Sequence, residues 1–227
     1  MSNASHRSAL ARGIKLLNKL LDPILDLVFP PKCEVCKQPG KAHLCPDCFS
    51  KIKFMKPHLG IYSVAVYEGT LREAIKRFKF HKRKNLAKPL GILLVQYLSQ
   101  TPLKIEELDM IVPVPLHQKR FGERGFNQAE HLAQVVAKYH ELPVVNAIQR
   151  IRNTKANFDL PRNERFANVR EAFAVTQKGQ VENKRVLLLD DIYTTGATIA
   201  ECSKVLNAAG AKRIEILTLS RAMEVAA

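Results

Sequence analysis

Four consecutive apolar residues, Val186-Leu187-Leu188-Leu189, run directly into two carboxylates, Asp190 and Asp191, and then into Thr194-Thr195-Gly196-Ala197-Thr198. A short strand that is apolar at every position leaves no face for water. That is the pattern of a strand inside a parallel sheet covered on both sides. Beyond Thr198, Val205, Leu206 and Ala209 give a helix an apolar stripe, and Gly210 supplies its stop. Ile214, Ile216, Leu217 and Leu219 read as the next strand. The segment is therefore a βαβ unit, whose loop falls at the carboxyl edge of the sheet, where open α/β sheets bind ligands.

The loop chemistry narrows the ligand. Backbone N–H groups of Thr194 to Thr198 can wrap a phosphate at a helix N-terminus, and the hydroxyls of Thr194, Thr195 and Thr198 add donors. Gly196 permits close backbone approach. Asp190 and Asp191 would repel a phosphate, so they must face something else. Two adjacent carboxylates suit the vicinal hydroxyls of a ribose, directly or through a metal. The unit reads as a holder for a ribose 5-phosphate. A plain strand–turn–helix with Asp near its cap does not call for this combination of acids, threonines and glycine. The Gly-Lys-Ser/Thr of an ATPase loop is absent.

A second signal lies near the front. Cys33-Glu34-Val35-Cys36 and Cys45-Pro46-Asp47-Cys48 are separated by eight residues that include Pro39 and Gly40. Two such pairs joined by a turn can close a tetrahedral site through four thiolates, which suits structural zinc. Lys32, Lys37 and Lys41 would favour the thiolate form. Disulfides, a redox dithiol and an iron–sulfur cluster are the alternatives; disulfides fit poorly in a chain without an export signal. His43 reads as a bystander, and Cys202 as a small buried apolar residue in a helix.

The chain has 227 residues and a formal net charge of +15. Its 46% apolar and 25% charged residues exclude a mainly disordered, collagenous or multi-span membrane protein. Residues 1–57 carry 10 basic and 4 acidic side chains and residues 58–100 carry 8 and 2, so the front of the chain holds most of the excess. That points to an anionic partner, against the simpler reading of a solvated basic surface. Lys76-Arg77-Phe78-Lys79-Phe80-His81-Lys82-Arg83-Lys84 is the densest stretch. Cations that neutralise phosphates beside aromatics that stack on unpaired bases suit single-stranded nucleic acid. The candidate contacts are Lys76, Arg77, Lys79, Lys82, Arg83 and Lys84. The competing reading buries Phe78 and Phe80 and leaves the cations in solvent.

At the N-terminus, Arg7 and Arg12 precede an apolar stretch that Lys15, Asn18, Lys19, Asp22 and Asp26 interrupt, which is unlike a signal peptide. Ile14, Leu17, Leu21, Ile24, Leu25 and Val28 recur at helical spacing, so an amphipathic helix kinked at Pro23 is expected. No run of 18 apolar residues exists, so no membrane span is expected, and the expected location is the cytoplasm.

The acid pair and threonine-rich loop resemble the phosphoribosyl pyrophosphate (PRPP) signature of type I phosphoribosyltransferases. Val112-Pro113-Val114-Pro115-Leu116-His117, followed by Arg120 and Arg124-Gly125-Phe126-Asn127-Gln128-Ala129-Glu130, narrows the resemblance. Together with the four cysteines in front, it points to the ComF family of bacterial proteins, over nearly the whole chain from Cys33 to Leu219. The resemblance implies an α/β, type I phosphoribosyltransferase fold: a twisted, mostly parallel sheet flanked by helices. An amphipathic helix and a zinc-finger module would precede it in residues 1–57, with the phosphoribosyltransferase-like domain in 58–227. It implies that Asp190 and Asp191 hold the ribose and serve catalysis, and that Thr194, Thr195, Gly196, Ala197 and Thr198 hold the 5′-phosphate. His117, Arg120 and Arg124 would lie by the pyrophosphate, with Mg²⁺ arriving with PRPP. Arg150, Thr154, Leu160, Arg165, Asn168 and Ala172-Phe173 resemble the loop that closes over PRPP, with Asn157 where the family pattern carries Gln. The implied role is in natural competence, handling internalised single-stranded DNA with a helicase-like partner. The alternatives are an active phosphoribosyltransferase on an unidentified acceptor without a DNA role, and a zinc-dependent adaptor.

Overall fold

The computed structural model describes residues 32–58, 60–155, 160–177 and 179–223. The expected N-terminal helix, residues 14–28, and Asn157 lie outside the described residues. From the front, the cysteine segment leads through α1 (Pro46–Ser50) to β1 (Ile61–Val66), α2 (Gly69–Phe80) and α3 (Ala87–Leu98). There follow β2 (Met110–Pro113), α4 (Gln118–Arg124), α5 (Gln128–His140), β3 (Ile148–Arg150), α6 (Glu164–Val169) and β4 (Phe173–Val175). The chain closes with β5 (Arg185–Tyr193), α7 (Ala197–Ala208) and β6 (Arg213–Arg221).

Four strands form one sheet in the order β1-β6-β5-β2, with every pairing parallel. β3 and β4 form a separate antiparallel pair. β5 is central, as its unbroken apolar run requires, and Val186 through Leu189 are fully buried. The strand's period of two divides that run between two cores. Leu187 and Leu189 join one core with Leu90, Leu94, Leu132 and Val136 of α3 and α5. Val186 and Leu188 join the other with Ile199, Cys202 and Leu206 of α7 and with Ile148 and Phe173 of the small hairpin. Cys202 is thus a core residue, as its surroundings in sequence suggest.

α3 and α5 pack closely because α3 presents Gly91 to α5. A Cβ at Gly91 would lie 2.5 Å from Val135 Cβ. A further tie joins neighbouring strands: Ser63 on β1 and its register partner Thr218 on β6 share a buried hydroxyl hydrogen bond of 2.8 Å.

The cysteine segment packs directly on the sheet. Cys33, Leu44, Cys48 and Ile52 belong to the same buried cluster as Leu71, Ile75 and Phe78 of α2. Just beyond, the Met55 N–H donates to Val64 O at 2.9 Å and Phe54 bridges Ala65, so this stretch runs along the outer edge of β1. Glu34, only 6% exposed, draws Arg83 and Lys37 to 3.5 Å each and accepts from Asn85 Nδ2 at 3.2 Å. One end of the basic stretch is therefore fastened to the cysteine segment.

Candidate functional site

The acid pair stands near the carboxyl end of β5. Asp191 is 7% exposed and Asp190 partly buried. Lys79, from α2, brings its Nζ to 2.8 Å from Asp191 Oδ1. Behind the pair, the buried Ser220 hydroxyl donates to Asp191 O at 3.2 Å, and Asp190 Oδ1 accepts from the Asp191 N–H at 2.8 Å. Burial, and then the neighbouring Asp191 carboxylate, push the Asp190 carboxyl up to about 7 against the pull of Lys79 and Arg150.

The loop that follows turns sharply into α7. Gly196 is the N-cap, with φ of 81°, in the left-handed region that glycine enters freely. A Cβ there would lie 2.4 Å from Tyr193 Oη, so the tyrosine ring packs against the glycine and an alanine has no room. The Arg221 guanidinium lies 5.1 Å from the Tyr193 ring centroid and braces it. The Thr195 hydroxyl is buried without a hydrogen-bond partner among the described residues. An orphaned hydroxyl beside the first N–H groups of a helix is a donor set that suits an oxyanion. The helix begins at Ala197.

Basic residues gather from two other elements. His117 caps α4, its Nδ1 accepting from the Lys119 N–H at 3.3 Å. Arg120 on α4 donates to Thr154 O at 2.8 Å, and Arg150 at the end of β3 donates to the Thr154 hydroxyl. The Arg150 Nε is buried and has no hydrogen-bond partner among the described residues. Burial, and then the adjacent Arg120 guanidinium, bring Arg150 down to about 10, while the Asp190 carboxylate opposes that shift. Arg124 turns elsewhere: it donates to Gln128 Oε1 at 3.0 Å and lies over the Phe80 ring at 5.3 Å. A cavity of about 470 Å³ opens on the far end of this cluster, lined by Pro115, His117, Phe121, Asn146, Ile148 and Arg150. Neither the acid pair nor the threonine loop lines it.

The residues after Arg150 hold one another. Arg165 Nε donates to Leu160 O at 3.1 Å and Asn168 Nδ2 to Lys155 O at 3.0 Å. Asn127 acquires a structural task. Its carboxamide oxygen caps α5 by accepting from the Ala129 N–H at 3.1 Å, and its Nδ2 donates to Val114 O at 3.0 Å. It thereby fixes the loop after β2.

In the front segment the four cysteine sulfurs all lie within 4.8 Å of one another. Cys36 and Cys45 approach to 3.6 Å, close to the ~3.8 Å edge of a tetrahedron with zinc–sulfur bonds of about 2.3 Å. Cys33 Sγ accepts from the Cys45 N–H at 3.5 Å. Burial opposes ionisation of Cys33, but the N–H groups of Cys45, Cys36 and Val35 carry its thiol down to about 6. Burial pushes the Cys48 thiol up. His43 is outside the cluster and meets Asn85 through Nδ1 at 3.0 Å. The set fits a structural zinc ion.

The basic stretch divides by helix phase. Phe78 is buried and Phe80 is 55% exposed. Lys79 turns inward to Asp191, Arg77 pairs with Glu73 at 2.7 Å, and Arg83 pairs with Glu34. Lys82 and Lys84 are exposed, Lys84 reaching over the Phe126 ring at 5.3 Å, and Lys76 is half-buried. Among the described residues no helix is long and apolar enough to cross a membrane.

A parallel sheet with an acid pair, an oxyanion-ready helix start and arginines along one edge belongs to the phosphoribosyltransferase-like class. The family model for the phosphoribosyl transferase domain matches residues 122–225, and that for the double zinc ribbon domain matches residues 24–59. Competence protein F of Haemophilus influenzae is 30% identical over 208 residues, covering 84% of this chain and 90% of that protein. The DNA utilization protein YhgH of Escherichia coli is 31% identical over 196 residues, covering 84% of each. Among solved structures, the chain is similar to glutamine PRPP amidotransferase of B. subtilis at 24% identity and a TM-score of 0.41. That likeness covers 59% of this chain and 26% of the enzyme's. The chain belongs to the ComF family, with a type I phosphoribosyltransferase-like domain behind a four-cysteine zinc module.

Proposed function

We propose that this protein binds Mg²⁺·PRPP at the carboxyl edge of its sheet and acts in natural competence, handling internalised single-stranded DNA. The observation that carries the PRPP half is the junction of the acid pair on β5 with the α7 N-terminus and its orphaned Thr195 hydroxyl. Asp190 and Asp191 accept from ribose hydroxyls, and Thr194 to Thr198 receive the 5′-phosphate. Arg120 and His117 receive the pyrophosphate, while Arg124, engaged with Gln128 and the Phe80 ring, would have to turn from those contacts to join them. Magnesium bound with PRPP supplies charge neutralisation of the pyrophosphate. If turnover occurs, the residues work by positioning and by steadying positive charge at the anomeric carbon.

The competence half rests on the relatives' names and on the exposed cations of the basic stretch, Lys82 and Lys84 above all. A helicase-like partner and a cytoplasmic setting accompany that role. The cavity beside Arg150 favours a second reading, an active enzyme with an acceptor pocket of small-molecule size.

Calorimetric titration of Mg²⁺·PRPP into the zinc-loaded chain tests the first half. Saturable binding is expected, lost in Asp190→Ala/Asp191→Ala, since each charged hydrogen bond removed costs about 1.5–3 kcal/mol. A correctly folded wild-type chain that does not bind would sink it. For DNA, affinity for an oligonucleotide should fall steeply with salt. Neutralising Lys82, Arg83 and Lys84 should flatten the logarithmic salt slope by about 2. Release of pyrophosphate in an acceptor screen would select the enzymatic reading.

A further inference from the structure

We propose that Lys79 is a built-in counter-cation of the acid pair. It occupies the position at Asp191 that a divalent ion would otherwise take, so the pair carries no metal of its own. The inference rests on the reading that the pair faces a ribose.

Two carboxylates on consecutive residues at the end of a buried strand repel each other and lose hydration. Such a pair recruits a cation, and a divalent ion is the usual one. Here the cation comes from the chain. The Lys79 ammonium is 2.8 Å from Asp191 Oδ1, and the two side chains are only 15% and 10% exposed. That seclusion separates the contact from the chain's exposed ion pairs, such as Lys53 with Glu68, where both partners lie mostly in water. The lysine is also held in place from behind. α2 buries Leu71, Ala74, Ile75 and Phe78 against the core, which fixes the helix phase and aims residue 79 at the carboxyl edge of β5. The partly buried Arg150 adds positive potential on the Asp190 side. A site with this much fixed positive charge has little attraction left for a free divalent ion, yet its remaining carboxylate oxygens can still accept from hydroxyl groups.

The test uses the full, zinc-loaded chain without PRPP and titrates Mn²⁺ alone, read by electron paramagnetic resonance. Manganese is a hard ion that favours carboxylates over zinc-occupied thiolates. Wild type and Lys79→Arg should bind weakly, and Lys79→Met at least about tenfold more tightly, because an opposing unit charge within 4 Å is gone. Adding Asp191→Asn to Lys79→Met should return the affinity to the wild-type level. Lys79→Gln, which keeps the polarity without the charge, takes the same place if the methionine variant does not fold. Equal Mn²⁺ affinity in the wild type and a folded neutral variant would overturn the proposal, and so would a gain that survives Asp191→Asn. Because no PRPP is present, a chain that fails to bind PRPP can still pass, and one that binds PRPP can still fail.

Discussion

Asp190 and Asp191 are adjacent in sequence but differ in what surrounds them. Asp191 has a lysine at 2.8 Å, whereas Asp190 has its neighbour's carboxylate and burial to contend with, and is pushed up to about 7. The folded chain therefore holds a proton on Asp190 that the unfolded chain releases near pH 4. This contribution to stability is complete below that value and is lost as pH rises toward 7. Asp190→Asn should accordingly raise the melting temperature at pH 8 and change it little at pH 4, as measured by thermal unfolding at both values. Gly196→Ala makes a sharper test. With φ of 81° and Tyr193 Oη 2.4 Å from the new Cβ, the loop must move, and Mg²⁺·PRPP binding should fall by an order of magnitude or more while the fold survives. The glycine's permissiveness is plain in the sequence. The tyrosine packed on it is not, since Tyr193 reads simply as the end of a strand. Arg150 is named in the sequence only as part of the block resembling the closing loop; its place beside Arg120 is not legible there, because it depends on how a three-residue hairpin strand folds back.

At the scale of elements, β5 and α7 were the most legible parts, for an apolar run followed by acids and a glycine turn has few other uses. α2 shows where such reading stops. Lys76 to Lys84 look like one cationic block when counted by composition. Winding residues 76–80 on the helix puts Phe78 in the core, turns Lys79 inward to Asp191 and leaves Phe80 facing water, while Lys82 lies past the helix end. The apolar spacing of Leu71, Ala74, Ile75 and Phe78 already carries that phase, so the division could have been drawn from the sequence by tracking angle rather than charge. The contact of α3 with α5 offers a prediction of its own. Gly91→Ala would place a methyl 2.5 Å from Val135 Cβ, and overpacking of this kind costs about 1–3 kcal/mol. Urea unfolding should register that loss, and Gly91→Ala/Val135→Ala should recover most of it.

Over the whole molecule, the zinc module is a wall of the main core. Its residues Cys33, Leu44, Cys48 and Ile52 pack with α2, and Glu34 holds Arg83 and Asn85. The spacing of the cysteines announced the metal, but no local pattern could announce what the module rests on, because its partners lie tens of residues away in the chain. Removing the metal should therefore lower the unfolding temperature of the entire chain in a single transition. Calorimetry with and without a chelator would reveal two separate transitions if the module were independent.

The pairing of Met55 with Val64, and of Phe54 with Ala65, has one more consequence. Among the described residues β1 is the last strand on its side of the sheet, and this stretch of backbone pairs with its outward edge. Chains stripped of zinc would bare that margin to one another, and an unpaired strand is a template for stacking. Their characteristic failure should be self-association. Turbidity that rises with protein concentration and comes ahead of any loss of helical signal would mark it.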